Sequence, residues 1–445
     1  MLTPPALASA AGPLGPDGAP IQTSDYKLDL FQGPILASSR VTAMGGAYSG
    51  LAEGPEGIPF NAAAASQRHA YSTTSTDWDL TGGLTFPAAV AATDFDNNGR
   101  PGFGYRNFVF ASGGALLQHD HWGVGSVISL QNYSLGKPRQ IDPGAAPVKD
   151  LTVRLFKVDA VASYAMMDDQ LHVGGGVRGV SFTAVDTSST ESLLFGTYGV
   201  GGQAGALWRP RQLPLRFGVT VRSPVIASLT AGTAVAGNGN GDRVIGQLYL
   251  PSGVALPWEA EWGVAVQIGP RPLNIPWVDE DTVGGPEVEL ERHVSLGKDG
   301  APQLEPRHKA ARRLLQRRYA AIPRRKLLLS LSMLVTGPTE GAVGVESMLT
   351  QRVDRSGEKS NVTMRAGGEI EVIPNAVQLR AGSYMEPTRF RGSTARLHAT
   401  TGFELRLVRW TVFGLFPDDN VFSVGGAFDV SREYFGWGLG ISSWH

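Results

Sequence analysis

The sequence predicts an all-β protein whose strands close into a transmembrane barrel. Three observations carry the prediction. Apolar and polar residues alternate through about fourteen to sixteen segments between about residue 71 and the C-terminus, separated by Gly/Pro/Asn/Asp turns. The segments reach ~10 residues or more, the length that crosses a bilayer when tilted, whereas soluble strands average ~5–6. No run of about 18 apolar residues exists to form a transmembrane helix, and the longest, "KLLLSLSMLV" (326–335), is strand-length.

Composition narrows the classes. Charged residues are 18% of the chain, below the ~25% of typical soluble proteins, while Gly is 57 of 445, nearly twice the usual ~7%. The net charge of −1 supplies no field that would draw the chain to nucleic acid. Cysteine is absent, which removes disulfides, thiolate catalysis and cysteine metal sites together.

In chain order, "ALASAAG" (6–12) reads as the small-residue end of a signal peptide, making 1–20 a leader remnant. The basic n-region and most of the apolar core are missing, so an accident of alanine-rich sequence is the alternative. Residues 40–66, "RVTAMGGAYSGLAEGPEGIPFNAAAAS", are too rich in glycine for a helix and too apolar for a solvated linker. Such a stretch needs close packing.

The strands follow. "LRFGVTVR" (215–222) opposes Leu215, Phe217 and Val219 to Arg216, Thr220 and Arg222. "WEAEWGVAVQI" (258–268) sets Trp258, Trp262, Val264 and Val266 against Glu259, Glu261 and Gln267. "VTMRAGGEIEV" (362–372) sets Val362, Met364, Ile370 and Val372 against Arg365, Glu369 and Glu371. "VQLRAGSYME" opposes Val377 and Leu379 to Gln378 and Arg380; "ARLHATTGFELRL" opposes Leu397, Phe403, Leu405 and Leu407 to Arg396, His398, Glu404 and Arg406. One face of each of these strands is therefore apolar and the other polar, with Arg, Glu or His on nearly every strand. On a soluble sandwich the charges would face solvent; in a barrel they face the lumen, with lipid outside. Trp122, Tyr133, Trp208, Trp258, Trp410 and Trp437, near strand ends, suit interfacial girdles. A closed barrel also leaves no unpaired edge.

An insertion at about 270–325 interrupts the pattern. Its stretch "RHKAARRLLQRRYAAIPRRK" (307–326) is the one clear helical pattern, with Leu314 and Leu315 on one side and nine Arg or Lys around them. It reads as a solvated arm pairing with its own acidic neighbours, or as a contact for anionic lipid phosphates or an acidic partner. Strand parity places it on the periplasmic side. "EYFGWGLGISSWH" (433–445) reads as the closing strand.

Motifs for chemistry are weak. "DFDNNG" (94–99) matches half a calcium loop, but position twelve holds Tyr105 instead of a bidentate Glu. "GGGVRG" (174–179) is followed by a strand-like stretch, so it is no dinucleotide fingerprint. "HDH" (119–121) has no third ligand in sequence, and no G-x-S-x-G elbow occurs. We expect no catalytic residue, metal or cofactor.

The segment "SSRVTAMGGAYSG…IPFNAAAAS" resembles the N-terminal signature of the long-chain fatty-acid transporter (FadL) family of outer-membrane proteins. The matching residues are Gly45, Gly46, Ala47 and Tyr48, then Asn61, Ala62 and Ala63. "PLRFGVTVRSPV" (214–225) and "GQLYLPSGVALPWEAEWGVAVQI" (246–268) are similar to the family's mid-barrel pattern. The resemblance implies about fourteen strands (71–445), an N-terminal hatch inside the lumen (21–70), and passage of hydrophobic small molecules, fatty-acid-like or aromatic, across a Gram-negative outer membrane. Membrane lipid and lipopolysaccharide would then surround the wall. One departure is that Asn-Ala-Ala stands where the family has Asn-Pro-Ala. Two rivals stay open: a docking subunit of a secretion or surface-assembly machine using 307–326, and an outer-membrane lipid enzyme.

Overall fold

A computed structural model describes residues 13–443, apart from 69–71, 73–74, 89–92, 101–103, 137–149, 188–190, 230–235, 238–240, 246–247, 279–285, 297–301, 323–325, 410–420 and the single residues 291 and 375. Fourteen strands form one closed antiparallel barrel. They are β1 (Thr76–Phe86), β2 (Gly104–His119), β3 (Trp122–Gly136), β4 (Asp150–Met166), β5 (Leu171–Asp186), β6 (Ser192–Trp208), β7 (Leu215–Arg222), β8 (Glu259–Ile268), β9 (Leu327–Thr336), β10 (Asn361–Ile373), β11 (Val377–Glu386), β12 (Arg396–Arg409), β13 (Val421–Ser431) and β14 (Tyr434–Ser443). Closure is made by β14 on β1, from Thr81 opposite Ser442 to Phe86 opposite Trp437.

The alternation sorts as the pattern requires. On β10, Met364 is 55% exposed while Glu369 is 1% exposed, and on β12 Leu397 and His398 divide the same way. Arg406 keeps the inward parity, half-buried beside a bulge between Arg406 and Val408. Leu84, Ile128, Val177, Val221, Leu331, Met364 and Leu439 lie on the outer surface of the wall.

β1 begins and β14 finishes at one end of the barrel, here the terminal end; the opposite one is the loop end. Strands β2–β6, of 15 to 17 residues, rise above the remainder at the loop end. Their inward side chains there, including Phe108, Tyr133, Leu155, Phe182 and Phe195, pack with Leu14, Ile21, Tyr26, Leu28, Val254 and Met348 into one apolar core. A small sheet spans it, in the order Ala342–Val343, Lys27–Asp29, Gly253–Leu256, Val225–Ser228. This core corrects the girdle assignment of Tyr133, which is buried inside the barrel mouth. Trp122, Trp208 and Trp258 are exposed, and Trp410 lies outside the described residues.

The helices are α1 (Ser39–Ala43), α2 (Pro286–Leu290), α3 (Arg307–Ala320) and α4 (Val345–Thr350). The helix expected over 307–326 stops at Ala320, because Pro323 disfavours helical angles at the residue before it. Leu315 packs on Ile275, and Leu314 on Val288, Ala310 and Ala311. Its cations meet acids of the same insertion: Arg318 with Glu287 at 2.5 Å, Arg313 with Glu305, and Arg307 with Glu289 at 3.7 Å. Chain topology puts this insertion, between β8 and β9, at the terminal end.

Candidate lumen and hatch

Residues 40–66 run through the lumen, and almost all of them are buried. The contact is backbone against backbone. A β-carbon on Gly174 of β5 would lie 2.6 Å from the Ala62 carbonyl carbon and 2.9 Å from Ala63 N. On Gly218 of β7 it would lie 2.8 Å from the Ser49 carbonyl carbon, on Gly263 of β8 2.7 Å from Gly50 N, and on Gly367 of β10 2.9 Å from the Met44 carbonyl carbon. Real Cβ contacts do not approach so closely. The wall glycines are therefore a bed for the segment.

Gly45 and Gly46 make the tightest turn of that segment, with φ of 61° and 68°, a region only glycine enters without cost. A Cβ on Gly45 would also meet Ser383 N at 2.8 Å on β11. Ala47 and Tyr48 follow, fully buried; the Tyr48 hydroxyl donates to Glu53 O at 3.1 Å, and its ring meets Phe60 edge-on. Asn61 fixes the far end. Its Oδ1 accepts from Ala63 N at 3.0 Å, capping the 3-10 turn Ala62–Ser66, while Nδ2 donates to Ser49 O at 3.1 Å and Ala206 O of β6 at 3.0 Å. Asn61 thus ties the turn at Ser49 and the 3-10 turn at Ala63 to the wall with every amide group used.

Ion pairs hold the same segment from the side. Arg40 reaches Glu53 at 2.8 Å and Glu369 at 3.2 Å; Glu369 also takes Lys326 at 2.7 Å and Arg380 at 2.7 Å. Arg380 continues to Glu404. On the adjoining wall, Arg365 and Arg222 both meet Glu261, at 3.1 and 3.4 Å, and Glu259 accepts from Arg178 and Arg222. Arg396 and His398 belong to a third group near the loop end: both bond Glu386, at 2.6 Å each, and His398 Nδ1 lies 2.7 Å from Asp429. Asp429 also accepts from Tyr384 at 2.6 Å, and Tyr384 Oη accepts from Ile35 N at 3.3 Å. A hydrogen-bonded path thus runs from the wall into the N-terminal segment.

Of the nine residues expected in the lumen, Glu259, Glu261, Arg365, Glu369, Arg380, Arg396, His398 and Glu404 join these groups. The sequence reading missed Arg40, Glu53 and the wall glycines. Arg40, Glu53 and Glu56, three charges inside an otherwise largely apolar stretch, were a readable signal, since buried charges must be paired.

At the terminal end, a cavity of about 50 Å³ is lined by Arg40, Arg68, Arg209, Arg216, Arg271 and Lys326 with Glu53. The start of the insertion covers it: Arg209 donates to Ile275 O at 2.7 Å, Arg216 to Leu273 O at 2.9 Å, and the Arg68 guanidinium stacks over Trp277. The mouth is cationic.

Chemistry elsewhere is sparse. Ser66 Oγ and His172 Nδ1 are 2.9 Å apart, but each is 1% exposed and the other imidazole nitrogen meets only Asp169 O. That is a packed hydrogen bond without substrate access. His119 and His121 bond different partners, Thr76 and Asp169.

No protein-family model matches the sequence, and no curated protein matches it. Among solved structures, a FadL homologue from Pseudomonas aeruginosa aligns over 93% of this chain and 99% of its own, with a TM-score of 0.51 and 12% identity. The P. putida toluene transporter TodX aligns over 91% and 97% with a TM-score of 0.49 and 12% identity. The monoaromatic hydrocarbon channel CymD aligns over 92% and 97%, at 0.49 and 11%. On the first of these matches, and on the geometry above, the chain has the FadL-type fold: a fourteen-stranded barrel with its own N-terminal segment threaded through the lumen.

Proposed function

We propose that this chain is a channel of the Gram-negative outer membrane that passes hydrophobic small molecules, fatty-acid-like or aromatic, and that residues 40–66 are its hatch. One observation carries the reading: the lumen is filled by a segment bedded on wall glycines and held by side-chain contacts instead of by continuous sheet hydrogen bonding. Such a segment can be displaced without opening the wall, because the barrel's own ladders lie elsewhere. The FadL-type fold and the signature around Gly45–Tyr48 and Asn61–Ala63 support it. The outward apolar belt then contacts membrane lipid, with lipopolysaccharide at the loop end, and the insertion faces the periplasm.

In this reading a hydrophobic molecule meets the apolar core at the loop end first. The hatch and its ion pairs then block descent until the hatch shifts. The cationic cavity below suits an acidic headgroup better than a neutral ring. No covalent step is involved. The test is uptake of radiolabelled oleate and toluene by cells that lack their own channel for these compounds and express this chain. Faster entry of either supports the reading; rates equal to empty-vector cells overturn it.

A docking role for the insertion is the second reading, favoured by the exposed apolar Leu290, Val294 and Leu304 beside the basic α3. A photo-crosslinker at Leu290 that captures one periplasmic protein supports it, and capture of none removes it.

A further inference from the structure

The calcium half-loop lies at the loop end, between β1 and β2, far from the hatch. Asp94, Asp96, Asn98 and Gly99 stand at positions one, three, five and six, and Tyr105 at position twelve cannot supply the bidentate carboxylate. The fold brings one from elsewhere. Glu346, in the first turn of α4, accepts from the Tyr105 hydroxyl through Oε1 at 3.0 Å and from Asn98 Nδ2 through Oε2 at 2.7 Å. It is 5% exposed.

The half-loop has the shape this role needs: Asn97 and Gly99 adopt φ of 55° and 80°, and Asp94 accepts from Asn98 N at 3.1 Å and Gly99 N at 2.9 Å. The independent observation is Asp96. Its Oδ1 is buried and has no hydrogen-bond partner, and the carboxylates that act on it most strongly are Glu346 and Asp94. Among the described residues the cation nearest Asp94 is Arg396, which donates to its backbone oxygen at 2.6 Å and is already paired with Glu386; Asp96 and Glu346 form no salt bridge, and the nearby Arg100 is engaged by Asp354 at 3.3 Å. The Asn98 amide nitrogen lies between Asp96 Oδ2, at 3.3 Å, and Glu346 Oε2. It holds the acids apart, and no three-acid metal cluster is preassembled among the described residues. A buried carboxylate oxygen with no partner, set between two further acids, is costly, and a divalent ion offsets that cost.

We propose that Asp94, Asp96 and Glu346 bind a calcium ion, which displaces the Asn98 amide nitrogen from between them. The donors are all oxygen, which suits a hard cation over zinc or copper. A bidentate Glu and an irregular ligand set suit calcium over magnesium, which demands near-ideal octahedral geometry. The ion would tie residues 93–100 to α4. The chain after α4 is bonded to the N-terminus, through Gly18 N to Val353 O and Ile21 N to Gln351 O, both 2.8 Å. Calcium thus clamps three segments of the apolar core that closes the loop end.

The test uses the full chain in mild detergent and terbium(III) as the luminescent probe, since Tyr105 sits beside Glu346 and sensitises it. Tyrosine-excited terbium emission should appear and be displaced by calcium with a Kd of about 10⁻⁴–10⁻³ M, typical of extracellular calcium modules, and at least about tenfold less well by magnesium. Glu346→Gln and Asp96→Asn should each weaken calcium at least about tenfold, while Asp354→Asn should stay within about twofold. Terbium emission that calcium does not displace, or unchanged binding by both acid-to-amide variants, overturns the site. Should those variants fail to fold, hydrogen exchange of the unaltered chain decides. Calcium-dependent protection confined to 93–100 and 344–355 supports the site, and equal exchange with and without calcium overturns it.

Discussion

Gly174 and Gly175 are neighbours on β5 that face opposite sides of the wall. A Cβ on Gly174 would overlap the backbone of Ala62 and Ala63 in the hatch; one on Gly175 has nothing nearer than Gln203 O at 3.6 Å. Gly174→Ala therefore inserts a methyl group where two backbones touch, and no rotamer can move it, because a Cβ position is set by its own backbone. Overpacking of this kind costs about 1–3 kcal/mol. The barrel strand keeps its ladder, so the strain falls on the seating of the hatch. One to three kcal/mol shifts the ratio of seated to unseated hatch by roughly 5- to 150-fold, since each ~1.4 kcal/mol is tenfold. Single-channel recording in planar bilayers reads this directly. Gly174→Ala should open more often than the unaltered protein, and Gly175→Ala should match it, with heat-modifiable gel migration unchanged in both. Equal behaviour of the two variants would refute the close-contact account.

Further expectations follow from the same geometry. Asn61→Ala leaves Ser49 O, Ala206 O and Ala63 N without their partner, at about 1–3 kcal/mol for each group left buried and unpaired, and should raise uptake of bulky hydrophilic antibiotics. Arg380→Met strips Glu369 and Glu404 of a shared buried cation; guanidinium unfolding should show a loss of about 3–5 kcal/mol, and an unchanged midpoint would contradict the pairing. Cysteines placed at Val362, Met364 and Leu397 should resist a membrane-impermeant thiol reagent in intact membranes, whereas the reverse pattern would put lipid on the wrong face. Removing 433–443 takes away β14 and the seam it makes with β1, so heat-modifiable migration should disappear.

Much of the barrel was legible because its signal repeats: a two-residue period survives wherever one face meets lipid and the other meets charge, as on β7, β8, β10 and β12. Gly45, Gly46 and Asn61 were legible through the family signature, and their geometry supplies the reason for their identity. The wall glycines were not. Gly174 and Gly218 sit in strands where glycine reads only as weak β-propensity, and the backbone they receive lies more than a hundred residues away in sequence. Tyr133 misled for a related reason: a tyrosine near a strand end suits an interfacial girdle equally well as a core, and only the height of β2–β6 above the rest of the barrel decides. Glu346 as a partner of the Asp94 loop was likewise invisible, because the contact joins that loop to a helix 248 residues away in the chain.

If uptake requires the hatch to move, locking it should stop uptake, and the absence of cysteine leaves an engineered pair unambiguous. A Cβ on Gly425 of β13 would lie 3.7 Å from the Ser39 Cβ at the start of α1, inside the ~3.5–4.5 Å separation of a disulfide. The double variant Ser39→Cys, Gly425→Cys should therefore staple the hatch to the wall on oxidation and release it on reduction. Hydrophobic-compound uptake by cells carrying this variant should fall to the empty-vector rate when oxidised and recover with reductant. Equal uptake in the two states would contradict it.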